Sequence, residues 1–268
     1  MQWATLIDAV KATSLDGLRL GLRDRRLARA YWSGSIQRYS ELMGRGLRPK
    51  SPLRYIYTQK WAAPSPDDRV QMPLTLYTGG GTRLDELLVL ATVTRVLQPS
   101  SVFEIGTFNG RTTSVFVLNA APGARILSLD LPPEYDTARP APAYLASDVT
   151  LVKQRVVGSY LHELRLADRY EQLFGDSLSF DPSPYAGSVE LGFIDGAHAR
   201  RYVQNDTEKM AAMMSPRGLV FWHDYGGKGQ FRALTEYLDD LSKKIVIYRV
   251  AGTSLAWSPA SALRALIE

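Results

Sequence analysis

The 268-residue sequence has no cysteine, and this absence excludes disulfides, thiolate nucleophiles and cysteine-ligated zinc or iron–sulfur sites. It has only three histidines, so any imidazole chemistry must come from very few positions. The apolar runs stay well below the roughly 18 residues that a membrane-spanning helix needs. The N-terminus lacks the charged, apolar and small-residue order of a secretory signal. These absences predict a cytoplasmic protein without a membrane span.

Several ligand-binding motifs are absent as well. No G-x-G-x-x-G fingerprint opens a predicted helix, which disfavours a nicotinamide-dependent oxidoreductase. No G-x-x-x-x-G-K-[ST] phosphate loop is present either. The Asn/Asp-Pro-Pro-Tyr sequence of many RNA and amine methyltransferases is also missing, because residues 131–135 contain the two prolines but follow the second predicted strand and not the fourth.

Positive charge is concentrated near the N-terminus. Residues 1–60 contain twelve Lys or Arg and four Asp or Glu, although the whole chain has a net charge of only +5. A basic segment can contact nucleic acid, an acidic membrane surface or an acidic partner. No aromatic–basic pattern of an RNA-binding sheet accompanies it, whereas Arg19, Arg23, Arg26 and Arg29 recur at the spacing of an amphipathic helix. We therefore expect this part to serve homo-oligomerisation or acceptor capture and not nucleic-acid binding.

The chain is predicted to divide near residue 81. Residues 44–81 contain five prolines and the triplet Gly79-Gly80-Gly81, which is typical of a linker or lid. We predict a helical and lid or linker extension over residues 1–81 and a folded domain over residues 82–268. Thr82 and Asp85 resemble a capping box, and the run that follows them has helical periodicity.

Strand-like and helix-like segments alternate after residue 100. Helix-length segments cover residues 110–120, 158–168 and 199–214, and residues 132–157 predict a long loop. Seven β-branched runs are present: SVFEIG, ARILSLDL, YEQLFGD, VELGFIDG, GLVFWHD, KIVIYRV and TSLAWSP. This order predicts an α/β fold with a seven-stranded, mostly parallel sheet covered by helices on both faces. The last two runs are separated only by Ala251-Gly252, so they should form an antiparallel hairpin.

The first of these strands ends in a glycine-rich turn. Ligands of open parallel sheets bind beyond the carboxyl ends of the strands, and Gly106 and Gly110 would let the backbone approach such a ligand closely. Glu104 in this turn would repel a pyrophosphate but suit a cation. Asp130, at the end of the second strand, can accept hydrogen bonds from ribose hydroxyls. A positive charge, a ribose and no phosphate describe S-adenosylmethionine; the alternative is a turn that only tightens the strand–helix packing.

These residues carry a resemblance. The sequence VFEIGTFNGRTT followed by ILSLDL resembles the first two cofactor motifs of class I S-adenosylmethionine-dependent methyltransferases, which implies a Rossmann-like fold. The resemblance implies a methionine end lined by Glu104, Gly106, Thr107, Asn109 and Gly110, and a ribose bound by Asp130. It also implies that Asp176 and Ser177, after the third strand, contact the adenine. Asp176 has an alternative role as a helix cap.

Two acid–histidine pairs follow the next two strands. Asp195 and His198 end the fourth strand, and His223 and Asp224 end the fifth. Carboxylate and imidazole ligands suit Mg²⁺, Mn²⁺ or another octahedral divalent cation. Such a cation lowers the pKa of a bound hydroxyl, and a nearby imidazole can remove the proton. The alternative is a group of capping residues and satisfied polar loop residues.

Residues 192–225 also resemble a narrower group, the macrocin-type sugar O-methyltransferases and the cephalosporin-hydroxylase-like methyltransferases. The resemblance implies that Asp195 and Asp224 bind the metal, with Asp195 also next to the cofactor and the reaction, and that His198 is the catalytic base or a further metal-site residue. The chain departs from this group at His223, where an acid is expected. The number of ligands and the need for a metal therefore remain open at this point.

The leading interpretation is an O-methyltransferase that acts on a hydroxyl of a small molecule, such as a sugar or a natural-product intermediate. Its cofactors would be S-adenosylmethionine and Mg²⁺ or Mn²⁺. The alternatives are a non-catalytic binding protein on the same fold, a nicotinamide-dependent oxidoreductase and an RNA methyltransferase. The identity of the acceptor has no recognisable code in the sequence.

Overall fold

A computed structural model describes nine parts of the chain, all within the unit Pro52–Glu268. They are residues 54–56, 69–73, 81–135, 148, 150, 152–153, 155–227, 229–250 and 252–266. The amphipathic helix predicted for residues 19–29 and nearly all of the predicted 1–81 extension lie outside these parts. The roles expected for residues 1–60 therefore stay predictions.

Eight strands and six α-helices are present in the described parts of the chain. The strands are Arg54–Ile56 (β1), Ser101–Ile105 (β2), Arg125–Asp130 (β3), Glu171–Phe174 (β4), Val189–Ile194 (β5), Met214–Trp222 (β6), Tyr248–Val250 (β7) and Ala256–Pro259 (β8). The helices are Leu84–Leu97 (α1), Arg111–Asn119 (α2), Ser159–Glu163 (α3), Arg200–Met213 (α4), Arg232–Leu241 (α5) and Ala260–Leu263 (α6). Among these helices, none has the length and apolar character needed to cross a membrane.

The strands form one sheet in the order β1-β7-β8-β6-β5-β2-β3-β4. All pairings are parallel except those of β8, which runs antiparallel to both β6 and β7. The predicted seven-stranded, mostly parallel sheet with an antiparallel C-terminal hairpin is confirmed. One short strand from before residue 82, β1, adds to its edge beside β7. The hairpin turn is longer than expected because Thr253 folds back on Val250, with its hydroxyl donating to the Val250 carbonyl at 3.0 Å.

The apolar residues form two cores, one on each face of the sheet. Successive residues of a strand point to opposite faces, and β2 follows this rule: Val102 belongs to the core that includes α1 and α2, whereas Phe103 belongs to the core that includes α4 and α5. In β6, Phe221 and Trp222 divide between the two cores in the same way. Helices therefore cover both faces, as the alternating sequence predicts.

Helix α1 begins one residue later than the sequence predicts. Its N-cap is Arg83, whose backbone N–H donates to the side chain of Glu86 at 3.0 Å. The predicted capping pair of Thr82 and Asp85 is wrong because the Thr82 hydroxyl is buried against the hydroxyl of Thr112 in α2, at 2.7 Å. The acid that caps this helix is therefore Glu86.

The glycine turn after β2 is required first of all by the packing of the chain on itself. Gly106 has a φ of +103°, and a Cβ there would lie 2.1 Å from the backbone oxygen of Asp195. Gly110 has a φ of +82°, and a Cβ there would lie 2.6 Å from the side chain of Leu161. The expectation that these glycines leave room for a ligand is therefore incomplete, since other parts of the protein already fill the space.

We expect Gly106→Ala to destabilise the fold far more than Gly123→Ala. Gly123 also has a positive φ, +81°, but a Cβ there would meet nothing within 4 Å, so its replacement should cost only about 1–2 kcal/mol of backbone strain. Gly106→Ala adds a collision with backbone atoms and should lower the free energy of unfolding by at least about 4 kcal/mol. Urea denaturation of both variants measures the difference, and equal costs would contradict the packing explanation.

Candidate active site

A cavity of about 320 Å³ opens at the carboxyl ends of the central strands. This is the edge where the sequence predicts the ligand, and the volume falls within the range of small-molecule sites. The residues that line it include seven of the predicted site residues: Gly106, Asp130, Ser177, Asp195, His198, His223 and Asp224. Five other predicted site residues are not among them: Glu104, Thr107, Asn109, Gly110 and Asp176.

Glu104 lies beneath the glycine turn and not in the cavity wall. It is 0% exposed, and its Oε2 accepts hydrogen bonds from the hydroxyls of Thr113 and Ser128, the second at 2.5 Å. Burial raises the pKa of Glu104 to about 8, and the charges of Asp195 and Asp130 act in the same direction. Glu104 is therefore protonated at neutral pH. This position differs from the predicted contact with the methionine end of the cofactor.

The hydroxyl and amide of the turn also face inwards. The Thr107 hydroxyl lies 2.6 Å from that of Ser128 and accepts a hydrogen bond from Gln172 at 2.9 Å. The Asn109 side chain accepts the backbone N–H of Arg111 at 3.2 Å, which orders the start of α2. These side chains shape the turn from within, so the cavity is bordered there by Gly106 and Phe108.

Asp176, after β4, orders the turn that follows this strand. Its carboxylate accepts the backbone N–H of Leu178 at 2.9 Å and the hydroxyl of Tyr202 at 3.1 Å. The turn is held further by Lys209, whose ammonium donates to the carbonyls of Ser177, Leu178 and Phe180 at 2.6–2.9 Å. No helix directly follows Asp176 within the described residues 155–227, so the helix-cap alternative does not describe it; Asp176 is also not among the lining residues of the cavity, whereas Ser177 is.

Asp130 borders the cavity and has three hydrogen-bond donors. They are the backbone N–H groups of Phe108 and Leu131, each at 2.7 Å, and Nη2 of Arg155 at 2.9 Å. Burial raises the pKa of Asp130, although the charge of Arg155 opposes the shift. Arg155 was not predicted, because it lies in residues 132–157, which contain no recognisable motif.

His198 lies between two carboxylates. Its Nδ1 is 2.8 Å from Asp148 Oδ1, and its Nε2 is 3.0 Å from Asp224 Oδ2. Asp148 also accepts the backbone N–H of His198 at 3.2 Å. Burial lowers the pKa of His198, but the hydrogen bonds to Asp148 and Asp224 outweigh it and raise the pKa to about 10. His198 is therefore protonated at neutral pH in this arrangement.

His223 also lies between carboxylates. Its Nδ1 lies 3.0 Å from Asp195 Oδ1 and 3.3 Å from Asp224 Oδ2, and its Nε2 lies 3.0 Å from Glu86 Oε2. Burial lowers the pKa of His223, but the charges of Asp195 and Asp224 raise it well above its usual range. In return, the hydrogen bond and charge of His223 outweigh burial and lower the pKa of Glu86 to about 2.

Within the described parts of the chain, one group of side chains has the composition of a metal site. Ligand atoms of Asp195, His198 and Asp224 all lie within 4.8 Å of one another. Carboxylate oxygens and imidazole nitrogens fit a divalent cation with octahedral geometry. Asp224 also has a φ of +60°, and such an unfavourable backbone conformation is common at functional sites. Since ligands must be deprotonated, metal binding here would release the proton that His198 shares with Asp224.

The pKa of Glu104 predicts how stability depends on pH. The pKa of Glu104 is near 4.5 in the unfolded chain and about 8 in the fold. The proton that Glu104 holds in the fold therefore stabilises the folded state fully below pH 4.5, and this stabilisation is lost as the pH rises towards 8. Between these values the wild type should lose up to about 1.4 kcal/mol per pH unit relative to Glu104→Gln, which stays neutral. Denaturation of both proteins across this pH range, without cofactor, measures the difference in the free energy of unfolding. If the two free energies change in parallel with pH, Glu104 is not neutral in the fold.

Comparison with known proteins gives a family match and a set of similar folds. Residues 103–225 match the family model described as a methyltransferase domain. No curated protein sequence matches the chain. The structure resembles the S-adenosylhomocysteine-bound methyltransferase of Podospora anserina, with a TM-score of 0.50, 13% identity and coverage of 66% of this chain and 79% of that one.

Two further solved structures are similar at lower scores. The O-methyltransferase of Streptomyces achromogenes, involved in tomaymycin synthesis and solved with S-adenosylmethionine, has a TM-score of 0.46 and 16% identity over 66% of this chain and 80% of that one. The O-methyltransferase of Bacillus cereus, solved with S-adenosylhomocysteine, has a TM-score of 0.44 and 12% identity over 67% of this chain and 81% of that one.

Proposed function

We propose that this chain, whose residues 103–225 match a methyltransferase domain, is a class I S-adenosylmethionine-dependent methyltransferase that methylates a hydroxyl group of a small molecule with the help of a divalent cation. One observation carries the proposal. The same cavity is bordered by Gly106 and Asp130, on the predicted cofactor side, and by Asp195, His198 and Asp224, on the predicted acceptor side. A methyl donor and a hydroxyl held there would be next to each other.

The cofactor is assigned to the side of the cavity formed by β2, β3 and β4. Asp130 would accept the ribose hydroxyls, because its two backbone hydrogen bonds hold the carboxylate at the cavity wall. Gly175 and Ser177 would border the adenine, since both line the cavity after β4. Arg155 opposes the effect of burial on the pKa of Asp130 and so favours the ionised form, which is the stronger acceptor.

The acceptor hydroxyl is assigned to the side formed by β5 and β6. S-adenosylmethionine supplies an electrophilic methyl group, and a cation held by Asp195 and Asp224 would lower the pKa of the hydroxyl. His198 would take the proton at Nε2. Asp148 holds the other ring nitrogen at 2.8 Å, so it fixes the orientation of the imidazole. His198 can act only when Asp224 no longer accepts its Nε2–H, because the ring is otherwise fully protonated.

The acceptor class is proposed from the resemblance of residues 192–225 to macrocin-type sugar and cephalosporin-hydroxylase-like methyltransferases. A sugar or a natural-product intermediate offers hydroxyls of high pKa, and these need activation before they attack the methyl group. The buried acid–histidine cluster supports such an activation. A nucleic acid is not proposed, because its phosphates would approach a cavity bordered by several acids.

Cofactor binding is the first test. We expect titration calorimetry with S-adenosylhomocysteine to give a micromolar dissociation constant, or about −8 kcal/mol. Asp130→Asn should weaken binding at least about tenfold, because the ribose loses charge-assisted hydrogen bonds. Asp168→Asn is a suitable control, since Asp168 is exposed and is not among the lining residues. Thermal melting of both variants checks folding. Failure of the unaltered protein to bind the ligand would reject the assignment.

Cation dependence and the base form the second test. Formation of S-adenosylhomocysteine is measured with a panel of small hydroxylated acceptors. Turnover should stop after chelation and return with added divalent cation. His198→Ala should lower kcat about 10²- to 10⁴-fold, and Asp195→Asn should lose activation by the cation while still binding S-adenosylhomocysteine. Full turnover after rigorous chelation would reject the cation and leave His198 as a base without it.

A further inference from the structure

A second carboxylate–histidine pair stands beside the pair of Asp148 and His198. Glu86, in the first turn of α1, is 0% exposed and lies 3.0 Å from Nε2 of His223. Its other oxygen accepts the backbone N–H and the hydroxyl of Ser254 at 2.8 and 2.7 Å. Glu86 is thus fixed from both sides, and it fixes His223 in turn.

The other ring nitrogen of His223, Nδ1, faces two acids of the site, Asp195 and Asp224. Its Nδ1 lies 3.0 Å from Asp195 Oδ1 and 3.3 Å from Asp224 Oδ2. Neighbouring ligands of an octahedral ion with bonds of about 2.1 Å lie about 3.0 Å apart. The separations of Nδ1 from the two carboxylate oxygens are of this size, so small shifts would let the three groups share one ion.

Histidine ligands usually donate their second ring N–H to a carboxylate, which orients the ring and makes the ligating nitrogen more basic. For His223, the carboxylate beside the second ring nitrogen is that of Glu86. We propose that His223 binds the divalent ion through Nδ1 together with Asp195 and Asp224, oriented by Glu86, and that this imidazole makes the site prefer a first-row transition metal over Mg²⁺. The inference rests on the cation of the proposed function and adds a ligand and a metal class.

The chemistry of the donor set determines the metal class. Mg²⁺ prefers oxygen ligands and keeps several waters, whereas imidazole suits iron, cobalt, nickel and zinc. His223 places one nitrogen next to the oxygens of Asp195 and Asp224, and this mixed donor set favours the transition metals.

A competing role for His223 is that of a permanent cation, which neutralises Asp195 and Asp224 and never binds the metal. The two roles predict opposite effects of Glu86. If His223 is a ligand, the Glu86 carboxylate increases metal affinity. If His223 is a fixed imidazolium, Glu86 holds a proton on the ring against the metal, so that neutralising Glu86 would increase metal affinity.

Glu86→Gln and Asp85→Asn make a matched pair for this test. Each removes one negative charge from the first turn of α1, but the Asp85 side chain is 46% exposed and its hydrogen bonds go to Arg83 and the Glu86 backbone. The full chain is titrated calorimetrically with Co²⁺ and with Mg²⁺.

We expect the unaltered protein to bind Co²⁺ at least about tenfold more tightly than Mg²⁺. Glu86→Gln should weaken Co²⁺ binding about 10- to 100-fold, and Asp85→Asn less than about twofold.

Unchanged or tighter Co²⁺ binding in Glu86→Gln, or equal binding of the two metals by the unaltered chain, overturns the inference. If Glu86→Gln does not fold, His223→Ala is the test. Loss of a ligating imidazole should lower the preference for Co²⁺ over Mg²⁺ at least about tenfold in this variant. Failure of the unaltered chain to bind either metal rejects the cation of the proposed function itself. Metal binding that is insensitive to Glu86→Gln rejects only the role of His223.

Discussion

The contact between Gly106 and the backbone of Asp195 constrains the whole site. β2 and β5 are neighbours in the sheet, and the backbone N–H of Asp195 continues their pairing by donating to the Ile105 carbonyl at 2.8 Å. The turn after β2 therefore passes directly over the end of β5, where a side chain at position 106 would meet the Asp195 oxygen at 2.1 Å. Because of this closeness, the predicted cofactor turn and the acid–histidine cluster share one cavity and one methyl group can be within reach of both.

The cluster itself is held together by the pairing of buried charges. Two histidines are surrounded by four carboxylates, those of Glu86, Asp148, Asp195 and Asp224. A buried charge is costly unless it is paired and hydrogen-bonded, and the loss of one partner leaves the other uncompensated. The partners come from α1, from the end of β5, from the end of β6 and from the segment around residue 148. Substitutions in this cluster should therefore be strongly non-additive, as expected for residues of one network.

The sequence predicted the sheet and the strand-end residues, since both depend on local patterns. Alternating strand and helix segments indicate a mostly parallel sheet, and Asp195, His198, His223 and Asp224 follow two of its strands. Glu86 and Asp148 were missed because they are 137 and 50 residues away from the histidines they contact. Glu86 has only a local capping pattern, which was assigned to Asp85, and Asp148 lies in a segment without a motif. Such long-range pairs follow from the packing of whole elements, which no short pattern encodes.

The position of Glu104 changes the electrostatic reason for the choice of cofactor. From the sequence, a carboxylate in the turn is expected to repel phosphate and attract a positive ligand, but a buried Glu104 with a pKa raised to about 8 is neutral and does neither. The acids that do border the cavity include Asp130, Asp195 and Asp224. Asp130 is already paired with Arg155, whereas the two histidines after β5 and β6 face four carboxylates, so the excess of negative charge lies in that cluster. A sulfonium or a metal ion is therefore attracted by the acceptor side of the cavity, and the glycine turn contributes shape and not charge.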